Sequence, residues 1–324
     1  MMKDVEVFVP AYNEAGHIRA TLTSIHAQQP NDKFHFNVLV IPNGCTDDTA
    51  QRARNTIEAL PPHPSVSFDV KELVEPSKPK ALNFALGQCA TKLVMYVDAD
   101  VTFSGQCFEQ VADQFADSTV QASGAVPRFK IPPELKGTYL GQIHRVRQLY
   151  DEAAGPWTVP IGRMMAFRRD AIESFVENIA AEDAWLINTI AWNYGWNSIR
   201  VPQEASVYST AQGNWLDYIK QESRFHRGDA HLVENFPELA AMFAEGLRLY
   251  RQRLLSRAAI EAAIAPTMQR EGIPMSYIDD LAVVMKIYRD NAEIMAKELI
   301  TSTGTWDPIE STKRPIGERR LLLE

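Results

Sequence analysis

The first hundred residues alternate short apolar runs with amphipathic helical patterns, at a spacing of about 30 residues. The apolar runs lie at 5–9, 36–41, 66–70 and 93–97. Between the first two runs, Ile18, Leu22 and Ile25 recur at helical spacing. A period of about 30 residues is the length of a strand-helix-strand unit, which connects parallel strands. The pattern therefore predicts an α/β fold with a doubly wound parallel sheet.

Further strands are predicted near 119–126, 163–167 and 199–201, with helices between them. Residues 236–324 differ from the rest, because they show the patterns of amphipathic helices. We therefore predict a main domain at 1–235 and an α-helical C-terminal extension at 236–324. The final segment, TKRPIGERRLLLE, is expected to be poorly ordered. Candidate helix N-caps are Asn13, Thr46 and Asn214.

Three polar clusters follow the predicted strands, at the point where each strand ends. They are AYNEAG after the first strand, PNGCTDDT after the second and Asp98-Ala99-Asp100 after the fourth. In parallel sheets, ligands bind outside the carboxyl ends of the strands. Because these ends share one edge of the sheet, we expect the three clusters to meet there.

Asp98 and Asp100 directly follow a buried strand, where a carboxylate without a partner is unfavourable. Alternate carboxylates in a loop can ligate one hard divalent cation, with diphosphate oxygens completing the coordination shell. All-oxygen ligation suits Mn²⁺ or Mg²⁺. A plain acidic turn is the alternative interpretation of the same residues.

Composition disfavours several classes of protein. The net charge of −8 argues against a nucleic-acid-binding protein, which usually carries a basic excess. The three cysteines lack CxxC spacing, which disfavours a disulfide framework and a structural zinc site. No apolar run approaches the roughly 20 residues that span a bilayer, and the N-terminus lacks the apolar core of a signal peptide. We therefore expect a cytoplasmic protein, at most peripheral to the inner face of a membrane.

Four segments occur in a family-specific order and spacing: VFVPAYNEAGHI, VLVIPNGCTDDTA, KPKALNFAL and MYVDADVTF. They resemble the family 2 nucleotide-sugar glycosyltransferases of the GT-A fold. Three later segments also resemble parts of this family. GRMMAFRRDAI resembles the strand that leads to the acceptor side, and AEDAWL resembles the acidic segment of the family. QESRFHRG resembles the QxxRW motif. The resemblance covers about residues 5–230 and implies a GT-A-like, Rossmann-like, mostly parallel sheet flanked by helices.

This resemblance implies a metal-dependent, inverting glycosyltransferase. Such an enzyme moves a sugar from a nucleotide-diphosphate donor, most commonly a UDP-sugar, to a hydroxyl of a carbohydrate, lipid-linked or small-molecule acceptor. Asp183 would be the general base that removes the hydroxyl proton as the new bond forms, and Glu182 precedes it. Asp98 and Asp100 would bind Mn²⁺ or Mg²⁺, which offsets the charge on the leaving diphosphate. Pairing with a helix dipole is the plain alternative for Glu182 and Asp183.

The resemblance also assigns residues to the donor nucleotide. The Tyr12 ring would stack on the base, and Glu14 would accept hydrogen bonds from the ribose. The other expected nucleotide-sugar-binding residues are Pro10, Ala11, Asn13, Asn43, Gly44, Asp47, Lys80, Asp98 and Ala99. Asn43 stands where the family often has part of an acidic pair that reads a pyrimidine, so UDP, GDP and dTDP stay open. A helix cap near Tyr12 and a plain turn at Asn43-Gly44 are the alternatives without a ligand.

Two lysines, Lys78 and Lys80, precede the third predicted helix, where a cation can meet a phosphate. Lys80 matches the lysine of the family better, and a solvated side chain is the alternative for Lys78.

The QESRFHRG segment places Gln221, Arg224 and Phe225 on one face of a predicted helix. Arg224 would steady the diphosphate or the acceptor, Phe225 would stack on a sugar, and Arg227 belongs to the same acceptor or phosphate group. The family has Trp where this chain has Phe225, and no membrane span follows, so a long secreted polymer is not the expected product. An ordinary amphipathic helix is the alternative.

A basic helix is predicted in the C-terminal extension. Its arginines are Arg248, Arg251, Arg253 and Arg257. We expect it to form a protein surface or a contact between copies in a homo-oligomer, and docking on an anionic membrane is the alternative.

Two other functions fit parts of the sequence. A sugar nucleotidyltransferase also joins a Rossmann-like sheet to acidic metal ligands, but it usually has a glycine-rich, basic loop where this chain has AYNEAG. A non-catalytic nucleotide-sugar-binding protein of the same fold is disfavoured by the presence of both Asp183 and the Asp98-Asp100 pair. A Rossmann dehydrogenase is disfavoured because no GxGxxG motif follows the first strand.

Overall fold

The computed structural model describes residues 2–179 and 181–284, and the chain forms two compact units. The first unit comprises Met1–Pro127 and Trp157–Ser209, and the second comprises Arg128–Pro156 and Thr210–Glu324. The predicted domain boundary after residue 235 falls inside the second unit, between two of its helices. That boundary stays a prediction.

The strands of both units are numbered in chain order. They are β1 (Lys3–Ala11), β2 (Phe34–Pro42), β3 (Val66–Val70), β4 (Leu93–Val97), β5 (Thr102–Phe103), β6 (Ala122–Gly124), β7 (Val126–Lys130), β8 (Met164–Arg168), β9 (Ile199–Arg200) and β10 (Ser206–Thr210). The helices are α1 (Ile18–His26), α2 (Thr49–Ala59), α3 (Lys78–Leu86), α4 (Cys107–Asp113), α5 (Tyr139–Ala153), α6 (Glu182–Tyr194), α7 (Trp215–Asn235), α8 (Pro237–Arg253) and α9 (Arg257–Glu271).

A seven-stranded sheet of order β3-β2-β1-β4-β8-β6-β9 forms the centre of the first unit. β3, β2, β1 and β4 are parallel, and β6 is parallel to β9. β8 runs antiparallel to both of its neighbours, β4 and β6. A smaller sheet has the order β5-β10-β7. The predicted mostly parallel sheet flanked by helices is confirmed.

The core of the first unit explains why its strands read as continuous apolar runs. In β4, the side chains of Val94, Met95, Tyr96 and Val97 are all buried. Helices cover the sheet: Ile18, Leu22 and Ile25 of α1 are buried in the same cluster as β1 and β2 residues. Strands that are covered on both faces lose the alternation of apolar and polar residues. The polar residues that follow β4 therefore mark the edge of the sheet.

Two of the three predicted helix caps are wrong. α1 begins at Ile18 and α2 at Thr49, so neither Asn13 nor Thr46 caps a helix with its side chain. Asn13 instead takes a left-handed backbone conformation, with φ of 53°, and its Oδ1 accepts a hydrogen bond from Thr46 N–H at 2.8 Å. The third prediction is confirmed, because Asn214 Oδ1 accepts from Asp217 N–H at the start of α7.

The second unit is helical around a core of its own. Residues of α5, α7 and α9 form it, including Ile143, Tyr218 and Met268. Residues 277–284 are helical, which confirms a helical C-terminal region. The rest of the last predicted helix and the segment expected to be poorly ordered lie outside the described residues. Within those residues, no helix has the length and apolar character needed to cross a membrane.

Basic side chains on α5 and in the C-terminal helices have acidic partners within the second unit. Arg147 is paired with buried Glu222 of α7, and Arg145 Nη2 lies 2.8 Å from Glu271 Oε1. Arg248 is paired with Glu245, and Arg257 with Glu261 and Asp279. Arg251 and Arg253 belong to the part of α8 whose side chains are not described. These pairs reduce the basic character that the arginine pattern predicts for this surface.

Candidate active site

Three segments of the first unit meet around Lys78, which lies in the first turn of α3. Its Nζ atom is 2.6 Å from Asp98 Oδ1, just after β4, and 2.6 Å from Glu182 Oε1, at the start of α6. Burial lowers the pKa of Lys78, but the charges of Asp98 and Glu182 outweigh burial and raise the pKa above its usual value. Lys78 is therefore a protonated cation between two carboxylates.

Asp100 adds a third carboxylate to this cluster. Burial, with the charge of Asp98, raises the pKa of Asp100 to about 6, although Arg163 and Lys78 act in the opposite direction. Two carboxylates that repel each other in a confined site favour a cation between them. Their hard oxygen donors suit Mn²⁺ or Mg²⁺. Among residues 2–179 and 181–284, no three acidic, histidine or cysteine side chains are arranged to hold a metal by themselves, so further ligands would come from the substrate.

Glu182 and Asp183 form the first turn of α6, where the helix dipole favours negative charge. Burial raises the pKa of Glu182, and the charge of Asp183 adds to this effect while Lys78 opposes it. Asp183 Oδ2 accepts a hydrogen bond from the backbone N–H of Gly162 at 2.9 Å. The two neighbouring carboxylates therefore have different partners: a lysine for Glu182 and a backbone amide for Asp183.

An aromatic cluster lies beside these carboxylates. The ring of Tyr96 is buried, and its centre is 5.2 Å from Lys78 Nζ. Phe175 packs edge-on against Tyr96, with 6.0 Å between ring centres, and contacts Trp185 of α6. Asn83 holds the backbone of Phe175 through two hydrogen bonds, of 2.7 and 2.9 Å. This arrangement fixes the segment that leads to Glu182.

The loops after β1 and β2 are joined side by side. Ala15 N–H donates to Asp47 Oδ2 at 3.2 Å, and Glu14 N–H donates to Thr49 Oγ1 at 2.8 Å. Asp47 Oδ1 also accepts from Thr49 N–H at 3.0 Å. Asp47 therefore links the two loops, and its predicted contact with a nucleotide stays a prediction.

Asn43 has a structural role that the sequence analysis did not anticipate. Its side chain bonds to backbone atoms of three residues: Nδ2 donates to the carbonyls of Ala11 and Ile41, and Oδ1 accepts from Ser77 N–H. The residue is 2% exposed. Asn43 therefore holds the end of β1, the end of β2 and the start of α3 together, and its expected contact with a nucleoside stays a prediction.

Glu14 is a buried carboxylate in the loop after β1. The residue is 6% exposed, and its carboxylate lies 3.5 Å from His17 Nδ1. The predicted contact of this carboxylate with a ribose stays a prediction. Tyr12, in contrast, is 38% exposed, so its ring is accessible for the predicted stacking. Pro10 and Ala11 are buried at the end of β1, and their predicted contacts with a nucleotide sugar stay predictions.

Gly44 forms the turn that the Asn43-Gly44 dipeptide indicates. Its φ is +61°, and a Cβ atom there would lie 2.5 Å from Pro76 N. Both the conformation and the close approach require glycine. Ala99, between the two aspartates, is buried, and its carbonyl accepts from Thr21 Oγ1 at 2.8 Å.

The two lysines in the first turn of α3 have different surroundings, and the predicted contact of Lys80 with the nucleotide sugar stays a prediction. Lys80 is exposed and paired with Glu75, whereas Lys78 lies among the site carboxylates. Residues two apart on a helix point in different directions, so only one of the two can face the site. Lys78 and Gly162 are thus site residues that the sequence analysis did not assign.

Gln221, Arg224, Phe225 and Arg227 lie on α7, in the second unit. Phe225 is exposed, and Arg227 Nη1 lies 3.1 Å from Glu234 Oε1. α7 is anchored by Glu222, through its pair with Arg147. The roles of this group toward acceptor or phosphate stay predictions.

Comparison with solved structures identifies proteins that are similar to this chain in fold. A mannosyltransferase from Pyrobaculum calidifontis, in complex with GDP-Man and Mn²⁺, shares 21% sequence identity with this chain. The TM-score is 0.61, and the match covers 91% of this chain and 87% of that chain. TarS 1–349 from S. aureus is 15% identical with a TM-score of 0.49, over 92% of each chain. Glucosyl-3-phosphoglycerate synthase from Mycobacterium tuberculosis, in complex with Mg²⁺ and uridine-diphosphate, is 17% identical with a TM-score of 0.46, over 72% of this chain and 79% of that chain. The first likeness shows that the fold is shared.

Comparison of sequences identifies the family. No individual curated protein matches the chain. The profile described as glycosyl transferase family 2 matches residues 6–176, which is more than half of the 324 residues. The matched region contains Lys78, Asp98 and Asp100. The chain therefore belongs to glycosyl transferase family 2, which confirms the predicted family and the predicted enzyme class.

Proposed function

We propose that this protein is a metal-dependent, inverting glycosyltransferase that moves a sugar from a nucleotide-diphosphate donor to an acceptor hydroxyl. The observation that carries the proposal is the convergence of Asp98, Glu182 and Asp183 around one site at the carboxyl end of β4. Ligands of open α/β sheets bind at this edge. A metal-diphosphate site and a base side by side are what a single displacement requires.

Asp98 and Asp100 would hold Mn²⁺ or Mg²⁺, because they offer hard oxygen donors in a confined site with mutual repulsion. When bound, the divalent ion offsets the negative charge that builds on the diphosphate leaving group. Lys78 would contact the same diphosphate in this proposal, since it lies beside Asp98. In this proposal Lys78 takes the role that the sequence resemblance gave to Lys80.

Asp183 is the better general base of the two neighbouring carboxylates. Glu182 is neutralised by Lys78, whereas Asp183 has a backbone amide as its partner. In the proposed step, the acceptor oxygen attacks the anomeric carbon while its proton passes to Asp183. The bond from the anomeric carbon to the diphosphate oxygen breaks, and the configuration inverts. Glu182 then serves to hold Lys78 in place.

A UDP-sugar is the proposed donor, and the GDP-mannose bound by the Pyrobaculum calidifontis enzyme makes a GDP-sugar the first alternative to test. The acceptor is proposed to be a carbohydrate, a lipid-linked or a small-molecule hydroxyl compound, with Gln221, Arg224, Phe225 and Arg227 as its candidate contacts. We propose that the protein acts in the cytoplasm. Contact of α8 and α9 with a membrane or with a second copy stays a prediction from the arginine pattern.

A thermal-shift panel tests this proposal. UDP-, GDP- and dTDP-sugars are added with and without Mn²⁺, because a ligand that binds only the folded state raises the melting temperature. At a hundredfold excess over Kd the stabilisation is about 2.7 kcal/mol. That corresponds to a rise of roughly 5–10 °C for a unit of this size. If no nucleotide sugar raises the melting temperature in the presence of Mn²⁺, the proposed function is wrong.

A further inference from the structure

We infer that Gly162 is a positioning residue for Asp183, an inference that rests on the proposed role of Asp183 as base. Gly162 lies just before β8, and Asp183 lies in the first turn of α6. The backbone N–H of Gly162 donates to Asp183 Oδ2 at 2.9 Å. A hydrogen bond from a fixed backbone amide selects one orientation of the carboxylate.

The space beside Gly162 is filled by Asp183. A Cβ atom at residue 162 would lie 2.8 Å from Asp183 Oδ2 and 3.0 Å from its Cβ and Cγ atoms. The φ of Gly162 is not in the left-handed region, so an alanine there would be strained only through this contact. The atom that gives way most easily is the far end of the aspartate side chain. An alanine at residue 162 would therefore displace the Asp183 carboxylate, and the contact with Asp183 Cβ would also press on the first turn of α6.

The backbone of this segment is itself held in place. Pro160 packs against β6 so closely that a Cβ atom at Gly124 would lie 2.4 Å from Pro160 Cβ. On the other side of Gly162, the carbonyl of Arg163 accepts a hydrogen bond from Asp98 N–H at 3.1 Å. The amide that orients Asp183 is thus preorganised by the sheet.

Two consecutive residues therefore connect the base to the donor site. Gly162 holds Asp183, and Arg163 holds Asp98, one of the two proposed metal ligands. A single displacement needs the acceptor oxygen, the anomeric carbon and the leaving oxygen in line, and a misplacement of about 1 Å can lower the rate about a hundredfold. The segment 162–163 fixes the spacing between the base and the diphosphate.

A double-mutant cycle in the full chain tests the inference. The variants are Gly162→Ala, Asp183→Asn and the double variant, with Gly105→Ala as control because a Cβ atom there meets nothing closer than 3.8 Å. The readouts are the Kd of UDP and GDP with Mn²⁺ and the rate of nucleoside diphosphate release from UDP-glucose or GDP-mannose. We expect Gly162→Ala to lower the rate about 10–100-fold with Kd within about twofold of the wild type. In the Asp183→Asn background the same change should cost less than about threefold.

The amide exchange rate of Gly162 is a second measurement that does not require activity or an alanine at 162. In Asp183→Ala, exchange at this amide should become about tenfold faster or more, while the amides of β8 keep their rates. Unchanged exchange at Gly162 would overturn the inference. So would a Gly162→Ala rate within about twofold of the wild type, or an equal loss in both backgrounds of the cycle. Full activity of Asp183→Asn would instead remove the proposed base, while the exchange result still reports on the contact.

Discussion

Replacement of Lys78 by methionine tests the electrostatics of the site most sharply, because the side chain keeps its length and loses its charge. In the variant, Asp98 and Glu182 would face each other without the ammonium that lies 2.6 Å from both. Lys80→Met is a matched control. It removes the same charge two positions along the same helix, from an exposed pair with Glu75.

The expected loss of stability follows from burial. Breaking a fully buried ion pair costs about 3–5 kcal/mol, whereas an exposed pair contributes about 0–1 kcal/mol. The side chains of Lys78, Asp98 and Glu182 are 29%, 30% and 12% exposed, so the site lies between these limits. We expect Lys78→Met to lower the free energy of unfolding by about 2 kcal/mol near pH 8, a fall of roughly 4–8 °C in melting temperature. Lys80→Met should change it by less than about 0.5 kcal/mol.

The loss should depend on pH in one direction. The pKa of Glu182 is above its usual value of 4.5 because of burial, and Lys78 opposes that rise, so the pKa rises further without Lys78. A carboxyl with a raised pKa in the folded state destabilises the fold only when ionised. Its unfavourable effect is absent below the unfolded-state pKa and grows as the pH rises through the folded-state pKa. Lys78→Met should therefore be closest to the wild type near pH 5 and furthest from it near pH 8.

Urea unfolding of the wild type and both variants at about pH 5, 6.5 and 8 measures these differences. An equal loss in Lys78→Met and Lys80→Met would contradict the arrangement of the two lysines. If the loss of unfolding free energy in Lys78→Met did not change with pH, the charges of Asp98 and Glu182 would have another partner. That result would contradict the electrostatic reasoning.

Three other substitutions have defined outcomes. Asp183→Asn should lower turnover by about 10²–10⁴-fold and leave the donor Kd nearly unchanged, and initial rates and calorimetry measure the two quantities. A collapse of donor affinity with turnover preserved would contradict the role of Asp183 as general base. Asp100→Ala should abolish the extra stabilisation that Mn²⁺ gives to donor binding, and equal thermal shifts with and without Mn²⁺ in the wild type would refute the ligand assignment. Gly44→Ala should destabilise more than Gly272→Ala by about 1–3 kcal/mol, because both glycines have positive φ but a Cβ atom at Gly44 would meet Pro76 and one at Gly272 would meet nothing within 4 Å. Equal melting temperatures would count against that close contact.

Much of the fold was predictable because apolar runs of the right length mark buried strands. β3 and β4 begin and end at the predicted residues, and the acidic residues after β4 identify the edge where ligands bind. The direction of β8 was not predictable, since an apolar run carries no information on whether its neighbours are parallel. The starts of α1 and α2 were missed because Asn13 and Thr46 bond to each other rather than to a helix end.

The acidic residues of the candidate site stand out in the sequence, whereas the backbone contacts around them do not. Lys78 and Lys80 cannot be ranked without knowing that Ser77 caps α3, which fixes the direction in which each lysine points. Asn43 resembles an ordinary turn residue, and nothing in the sequence reveals its three bonds to backbone atoms. Gly162 acts through its N–H and its missing side chain, neither of which gives a pattern in the sequence.

The central claim is that a divalent ion held by Asp98 and Asp100 binds the diphosphate of a nucleotide sugar at the end of β4. A crystal of the protein soaked with Mn²⁺ and UDP, and measured at the manganese absorption edge, tests it directly. We predict an anomalous peak within coordination distance, about 2.0–2.6 Å, of an Asp98 or Asp100 carboxylate oxygen and of the diphosphate. A nucleotide bound in the protein with no manganese peak beside either aspartate would contradict the claim.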